Sequence, residues 1–311
     1  MISLRLIRFD PIAVTVPAVI MIAALLNPAQ AQQAFPSPED ASAALAAAVK
    51  IGTKRAMLKV LGNDAAEIIE SGDDVADAET RQRFLSAYEV RYSIKAEDNK
   101  KATLILGADD IPFPIPLINN RSGWEFDSAA GRLEILYRRI GRNELDAIQT
   151  CLAFVDAENE YAEKDRTGDG AGTYAQRIVS SPGKKDGLFW RDDRDPSPLG
   201  ELAAQAAEEG YKPGAEGSAP YHGYYYRILK GQGSDAPGGA LNYVVWGKMI
   251  GGFALIAYPA EYGNSGVMTF VVNHAGTVYQ KDLGPRTAII AKRIAVFDPD
   301  QTWKKVSVMN P

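Results

Sequence analysis

The sequence has very few of the side chains that most often carry catalysis or bind metal ions. Its 311 residues include one cysteine and two histidines. A single cysteine cannot form a disulfide within the chain, and two histidines cannot by themselves build a histidine-rich metal site. The 34 basic and 39 acidic residues give a net charge of −5, which does not favour a nucleic-acid partner. The composition therefore predicts no cofactor and no nucleic-acid binding.

The chain also lacks a long uncharged apolar run, and its most apolar stretch is short. Arg5 and Arg8 precede fifteen uncharged residues from Ile12 to Leu26, which end near Ala29-Gln30-Ala31. A charged start, a short apolar run and a small-x-small site form a secretory signal, whereas a membrane span needs roughly 20 apolar residues. We expect residues 1–31 to be removed after Ala31. The mature protein would then be periplasmic or secreted, without a membrane span.

With 46% hydrophobic residues, the rest of the chain has enough apolar material for a large core, and it divides into two predicted halves. The first, residues 32–140, opens with helices and continues with strands. We expect a helix capped by Ser37 and ended by Gly52, a second over Lys54 to Leu61, a third from near Asp77, and strands at Val90 to Ile94, Lys101 to Leu106 and Trp124 to Phe126. Three prolines confine residues 111–116 to an extended edge. This half is predicted to be α+β, with a bent antiparallel sheet.

The second half, residues 141–311, begins with the clearest helical pattern. Asn143 is the predicted N-cap, and an apolar stripe follows it until the chain reaches Gly168. A short helix is expected from Pro198, capped by Ser197. The strands are then expected at Tyr224 to Lys230, Tyr243 to Met249, Phe253 to Tyr258, Val267 to Asn273 and Thr277 to Lys281. The prediction is a long helix packed on an antiparallel meander, again α+β.

Several long motifs resemble one bacterial exported family. They are Asp110 to Pro116, Arg138 to Asn143, Tyr221 to Arg227, Ala236 to Ala240, Gly251 to Leu255, Pro259 to Phe270 and Val278 to Gly284. These motifs resemble the family known as domain of unknown function 2950. The resemblance covers nearly all of the predicted mature chain and implies export, but it implies no activity.

Two looser resemblances concern the fold alone. Residues 143–284 are similar to the globular heads of type II secretion pseudopilins, which run from a helix through an irregular loop into a small antiparallel sheet. Here the apolar N-terminal helix is predicted to be removed, so filament assembly is not implied. The first half is weakly similar to nuclear transport factor 2 relatives, in which three helices are wrapped by a bent sheet.

The densest group of chemically versatile side chains lies on the first strand of the predicted meander. Side chains alternate along a strand, so His222, Tyr224 and Tyr226 would share one face, and Tyr221, Tyr225 and Arg227 the other. A histidine flanked by phenols suits acid–base chemistry or the stacking of a flat ligand. The alternative is an aromatic strand that packs on the long helix. The candidate binding residues are Tyr221, His222, Tyr224, Tyr226, Arg227 and Tyr262.

Other candidate sites have weaker patterns. Ser265 lies at nucleophile-elbow spacing, but Val267 replaces the second glycine and a strand follows, which favours a tight turn. Cys151 lies beside the apolar stripe and is predicted to be a buried thiol. Asp165 and Asp169 precede glycines and could place oxygens on calcium, but they lack the spacing of an EF-hand. Acidic pairs such as Asp192 with Asp195 are expected in solvated loops.

Two functional hypotheses remain. The first is a non-enzymatic exported protein that binds or helps assemble a component of the cell envelope, or a partner protein. The second is a periplasmic hydrolase of glycan or ester substrates that uses carboxylates or His222, with Glu261 as a further catalytic candidate. The hydrolase hypothesis requires His222 or Glu261 to meet another acid within hydrogen-bonding distance.

Overall fold

Helices dominate the first part of the folded chain and antiparallel strands the last. The structure is a computed structural model that describes residues 32–168, 170–192, 194–211 and 219–307. The helices are α1 (Pro38–Ile51), α2 (Lys54–Leu61), α3 (Ala66–Ile69), α4 (Asp74–Val90), α5 (Ser128–Ala162), α6 (Gly200–Glu208) and α7 (Thr287–Arg293), with a 3-10 turn at Asn63–Ala65. The predicted signal segment, residues 1–31, lies outside the described residues.

The strands are short and pair antiparallel, so the fold is α+β as predicted. They are β1 (Tyr92–Ala96), β2 (Lys101–Leu106), β3 (Ile111–Pro112), β4 (Leu117–Asn120), β5 (Gly123–Phe126), β6 (Tyr224–Leu229), β7 (Gly231–Gln232), β8 (Leu241–Asn242), β9 (Val244–Val245), β10 (Lys248–Met249), β11 (Ala254–Pro259), β12 (Met268–Asn273), β13 (Tyr279–Asp282) and β14 (Lys304–Lys305). The first sheet has the order β1-β2-β4-β5, with β3 paired on β2. The second has the order β14-β13-β12-β11-β6, which confirms the predicted meander.

The first helices follow their local signals. Ser37 Oγ accepts a hydrogen bond from the Asp40 amide at 3.0 Å, and Gly52 ends α1 in the left-handed region with φ 75°. Helix α2 has the predicted bounds. Helix α4 begins at Asp74, three residues before the expected start near Asp77, because Asp73 caps it through the Val75 and Ala76 amides.

The long helix α5 corrects the prediction that Asn143 caps a helix. It has 35 residues, and its cap is Asp127, whose Oδ1 accepts from the Ala130 amide at 3.1 Å. Asn143 lies inside the helix, where its side chain donates to the Ser265 carbonyl at 2.8 Å. The spacing of Asn143 and Asp146 resembled a capping box, but the Asn143 side-chain amide bonds a distant turn and does not cap a helix. The helix ends at Ala162, before the glycines that were expected to stop it.

Two further predictions about the second half were wrong in detail. The expected strand from Tyr243 to Met249 is a hairpin of β9 and β10, because Trp246 and Gly247 turn the chain with positive φ. Helix α6 begins at Gly200 without a side-chain cap, and the Ser197 hydroxyl has no hydrogen-bond partner among the described atoms. The sequence patterns located these segments but missed the breaks within them.

Buried apolar side chains form two clusters that α5 connects. The first includes Leu45, Leu117 and Phe126, and α5 contributes Leu136 to it. The second lies between α5 and the meander, where the rings of Phe154 and Phe253 meet with centroids 5.6 Å apart. Residues from Gln32 onward form one compact unit. The predicted division between residues 140 and 141 falls inside α5 and stays a prediction.

The helices of this fold range from four to 35 residues in length. None of those within the described ranges combines the length and hydropathy that crossing a bilayer requires.

Candidate functional site

The chain enters β6 through a tight turn that carries His222. Tyr221 and Tyr224 exchange backbone hydrogen bonds of 2.8 and 3.1 Å, and the two residues between them have positive φ, 48° for His222 and 75° for Gly223. His222 therefore lies in a two-residue turn, and the prediction that it shares a strand face with Tyr224 and Tyr226 was wrong. Gly223 permits this turn because a Cβ there would lie 2.5 Å from the Asn143 amide nitrogen.

The imidazole of His222 lies near two carboxylates, one within α5 and one directly after α6. Its Nε2 lies 3.2 Å from Glu209 Oε2, and its Nδ1 lies 3.6 Å from Asp146 Oδ2. The side chain is only 19% exposed, and the ring of Tyr221 lies 4.2 Å away, centroid to centroid. The two carboxylates lie nearest different nitrogens of the ring. The arrangement links α5 to the end of α6.

A buried aspartate, Asp73, fastens the same turn to the first half of the chain. Its Oδ2 accepts hydrogen bonds from the Tyr211 hydroxyl at 2.9 Å and from the Gly223 amide at 2.8 Å. Tyr211 in turn accepts from the His222 amide at 3.2 Å, and burial raises the pKa of its hydroxyl. Asp73 is 1% exposed and was not among the residues singled out by the sequence. Its helix-capping position was the only sequence signal that could have identified it.

The remaining aromatic candidates are not brought together on one surface. Tyr224 is fully buried and donates its hydroxyl to the Met268 carbonyl at 3.0 Å. Tyr226 is also buried, and burial raises the pKa of its hydroxyl well above the ordinary value. Arg227 donates to two carbonyls at the end of α7, and Tyr262 donates to Asp282 at 3.2 Å. Of the predicted binding residues, Tyr221 and His222 are the two partly exposed ones whose rings meet at the turn.

Glu261 and Ser265 belong to a second turn that docks on the first half. Glu261 accepts from Asn264 Nδ2 at 2.7 Å, and Asn264 also bonds the Glu70 carbonyl and Arg139. The Ser265 hydroxyl is buried and bonds the backbone of Glu261 at both N and O. This is the tight turn that the sequence favoured over a nucleophile elbow. Glu261 is therefore engaged in holding elements together.

The predicted calcium ligands have no complete set of partners. Asp165 Oδ1 accepts from the Gly168 amide at 2.7 Å, which is an ordinary turn contact, and Asp169 lies outside the described residues. No cluster of three or more metal-ligating side chains occurs in the part of the chain that the structure describes.

Cys151 is the buried thiol that the sequence predicted. Its side chain is fully buried in α5, and burial raises its pKa to about 12. The thiolate needed for nucleophilic chemistry is therefore disfavoured at neutral pH.

A surface cavity that the sequence did not reveal lies in the loop between α5 and α6. Its volume is about 540 Å³, within the range of small-molecule sites. Phe189 lines it as a partly exposed apolar side chain, and Trp190, also in the lining, is 8% exposed. Its charged lining residues are Lys184, Lys185, Arg191 and Asp192. We name it the Lys185–Trp190 cavity. The sequence signal for this cavity was the grouping of Lys185 and Arg191 with Phe189 and Trp190. The neighbouring Asp192 and Asp195 instead led to the prediction of a solvated surface loop.

Hydrogen bonds preorganise this cavity. Lys185 Nζ lies 3.0 Å from Asp192 Oδ2 and 2.7 Å from Asp195 Oδ2, and these hydrogen bonds raise the lysine pKa and lower the pKa of both aspartates. Trp190 Nε1 donates to the Asp195 carbonyl at 2.8 Å, and the Arg166 guanidinium lies 4.9 Å from the indole centroid. The indole is thus fixed, whereas Lys184 and Arg191 are exposed at the rim.

Comparison with known proteins identifies a family, but the description of that family names no activity. The family model described as "Protein of unknown function (DUF2950)" matches residues 32–306. No curated protein and no solved structure matches the chain. The likeness to pseudopilin heads and to nuclear transport factor 2 relatives therefore stays a prediction. The chain belongs to the DUF2950 family.

Proposed function

We propose that this DUF2950 protein is an exported, non-enzymatic binding protein of the cell envelope, and that it holds a small anionic envelope component in the Lys185–Trp190 cavity. The observation that carries the proposal is the cavity itself. Phe189 is partly exposed in the cavity, and two exposed basic side chains, Lys184 and Arg191, lie at its rim beside Lys185, whose charge is paired with Asp192 and Asp195. Preformed apolar surface with a few placed charges is the usual construction of a ligand site.

The two catalytic candidates support binding over turnover. Both ring nitrogens of His222 face carboxylates, so neither nitrogen is directed at a hydroxyl nucleophile. Glu261 is tied to Asn264 in a turn that joins the two halves of the chain. A general base must reach the proton that it removes, and a nucleophile needs such a base beside it.

Export is supported by the signal pattern of residues 1–31. The test is N-terminal sequencing of the protein recovered from the periplasm of cells that express the full chain. We expect the first residue to be Gln32. A mature protein that begins at Met1 and stays in the cytoplasmic fraction would refute this part of the proposal.

The binding proposal is tested by native and denaturing mass spectrometry of freshly purified mature protein. We expect an excess mass in the native spectrum that is lost on denaturation. In the variant with Lys184→Glu and Arg191→Glu, retention of this mass should fall by about tenfold, because two attractive rim charges become repulsive. Lys95→Glu with Arg55→Glu makes the same charge change at exposed sites on β1 and α2.

This control variant should keep the excess mass. A bare wild-type monomer, or equal retention by both double variants, would contradict the proposed cavity site. Circular dichroism on all three proteins distinguishes lost binding from lost folding.

A hydrolase is the second candidate function, because one observation favours it. Nε2 of His222 lies 3.2 Å from Glu209, so the acid–histidine contact that this hypothesis required is present. The test is a panel of glycan and ester substrates with wild type, His222→Ala and His222→Gln. Turnover that survives repurification and is lost in both variants, while folding is retained, would favour the hydrolase and overturn the non-enzymatic proposal.

A further inference from the structure

The hairpin formed by residues 244–249, here called the Trp246 hairpin, places a tryptophan at its tip. Val245 pairs with Lys248, so Trp246 and Gly247 are the two loop residues. Their φ values are 49° and 81°, which is the pattern of a type I′ turn. The first of these two positions favours Asn, Asp or Gly, and a bulky side chain with positive φ is rare. Trp246 is thus held in a strained backbone conformation.

Packing does not account for this tryptophan. Its side chain is 95% exposed, so it contributes almost nothing to either buried cluster. An apolar side chain that strains the backbone and stabilises no core is the kind of outlier that indicates a function. Leu241 and Ile250, before and after the hairpin, are themselves 45% and 47% exposed.

The base of the hairpin is firmly attached to the body of the protein. Met249 is fully buried, and its carbonyl accepts from the Tyr174 amide at 2.8 Å. Gln176 Nε2 donates to the Gly247 carbonyl at 2.7 Å. The exposed ring is therefore presented by a fixed support.

The charge of this segment differs from that of the whole protein. The chain has 39 acidic residues and a net charge of −5, yet residues 236–260 contain no aspartate or glutamate. The one charged side chain in this range is Lys248, which directly follows the turn. An acidic protein therefore presents an apolar tip with Lys248 beside it, and a second lysine, Lys230, donates to Gln176, the side chain that bonds the turn.

We propose that the Trp246 hairpin inserts into the interfacial region of an anionic lipid bilayer. Tryptophan prefers the headgroup level of membranes, and a nearby lysine is attracted by anionic lipids. A protein partner fits less well, because one side chain of roughly 250 Å² is far below the roughly 1,000 Å² that a specific interface buries. A sugar site places several polar side chains around the stacking ring, whereas the two residues that precede Trp246 on the hairpin, Val244 and Val245, are apolar.

The test is co-sedimentation of the mature protein with vesicles of phosphatidylcholine and phosphatidylglycerol, compared with vesicles of phosphatidylcholine alone. We expect wild type to bind the anionic vesicles, with a blue shift of tryptophan emission. Trp246→Asn should lower the partition coefficient by about tenfold or more, because the apolar surface that enters the interface is lost. Asparagine suits the turn, so the variant should fold at least as well as wild type.

Two further variants separate the tip from exposed apolar surface in general. Trp246→Phe should bind within about threefold of wild type, because an aromatic ring remains. Tyr137→Gln removes a ring that is 69% exposed on α5 and should leave binding unchanged. Equal binding by wild type and Trp246→Asn, or no wild-type binding to anionic vesicles, would overturn the proposal. Dimerisation that depends on Trp246 without lipid binding would overturn it in favour of a second copy of the chain.

Discussion

Asp73 provides the sharpest test of how the structure is held together. This carboxylate is 1% exposed and accepts four hydrogen bonds. Oδ1 caps α4 through the amides of Val75 and Ala76, both at 3.1 Å. Oδ2 binds the Tyr211 hydroxyl and the Gly223 amide, which come from the other half of the chain. Removing the carboxylate should therefore affect a helix and a tertiary junction together.

The change Asp73→Ala should lower the free energy of unfolding by about 4 kcal/mol. Loss of the cap costs about 1 kcal/mol. The buried Gly223 amide loses its partner, at about 2 kcal/mol, and the partly buried Tyr211 hydroxyl loses an acceptor, at about 1 kcal/mol. Asp73→Asn should cost about 2 kcal/mol, because its oxygen keeps the cap while its amide nitrogen opposes the Gly223 N–H.

The assay is urea unfolding followed by both circular dichroism and tryptophan fluorescence. Coincident transitions and an unchanged slope would allow the midpoints to be read as stability. Tyr211→Phe is the matched control, since it removes the two hydrogen bonds of the Tyr211 hydroxyl, to Asp73 and from the His222 amide, and leaves the cap intact. The double variant Asp73→Ala with Tyr211→Phe should be less destabilised than the sum of the single variants, because the two groups share a bond.

The reasoning would be refuted if Asp73→Ala cost no more than about 1 kcal/mol, the value of the cap alone. It would also be refuted if the two single variants proved additive. The first outcome would mean that the junction between α4, Tyr211 and the His222 turn adds no stability to that of the cap, and the second that the bond between Asp73 and Tyr211 adds none.

Two further predictions concern buried groups of α5. Cys151 should not react with a thiol reagent at pH 8 in the native protein and should react at once in urea, because burial raises its pKa to about 12; rapid native labelling would contradict its placement. Burial also raises the pKa of Glu158 well above 4.5, so the fold favours its protonated form. Its stabilising contribution is present below pH 4.5, where the unfolded form is protonated too, and is lost as the pH rises towards the folded pKa. Glu158→Gln should therefore match wild type near pH 4 and become more stable than wild type between pH 5 and 8 in urea unfolding curves; parallel curves would show that Glu158 is not buried as a neutral acid.

Sequence patterns predicted correctly those helix ends that are determined by neighbouring residues. Ser37, Pro38 and Gly52 bound α1 because capping and turn preferences act within a few residues. Asn143 failed as a cap because its side chain bonds Ser265, which is 122 residues away in the chain. No local pattern reports such a contact.

The candidate site was predicted only in part, because contacts between residues far apart in the sequence build it. The sequence named Tyr221 and His222 as candidates, but it placed them on opposite faces of a strand because aromatic residues favour strands. In the structure their rings lie 4.2 Å apart at a turn. The positive φ of His222 depends on packing of the next residue, Gly223, against α5. Asp146 and Glu209, which flank the imidazole, are 63 residues apart in the chain. Their convergence is a property of the tertiary fold.

The sharing of α5 between two cores has a consequence for the protein during its synthesis. The helix is complete at Ala162, but β11, against which its C-terminal half packs, ends at Pro259. At about 5–20 residues per second, roughly 5–20 s pass between these two points on the ribosome. During that interval the apolar face that includes Phe154 has no strands to cover it. This face is therefore the segment of the nascent chain that we expect a chaperone to hold.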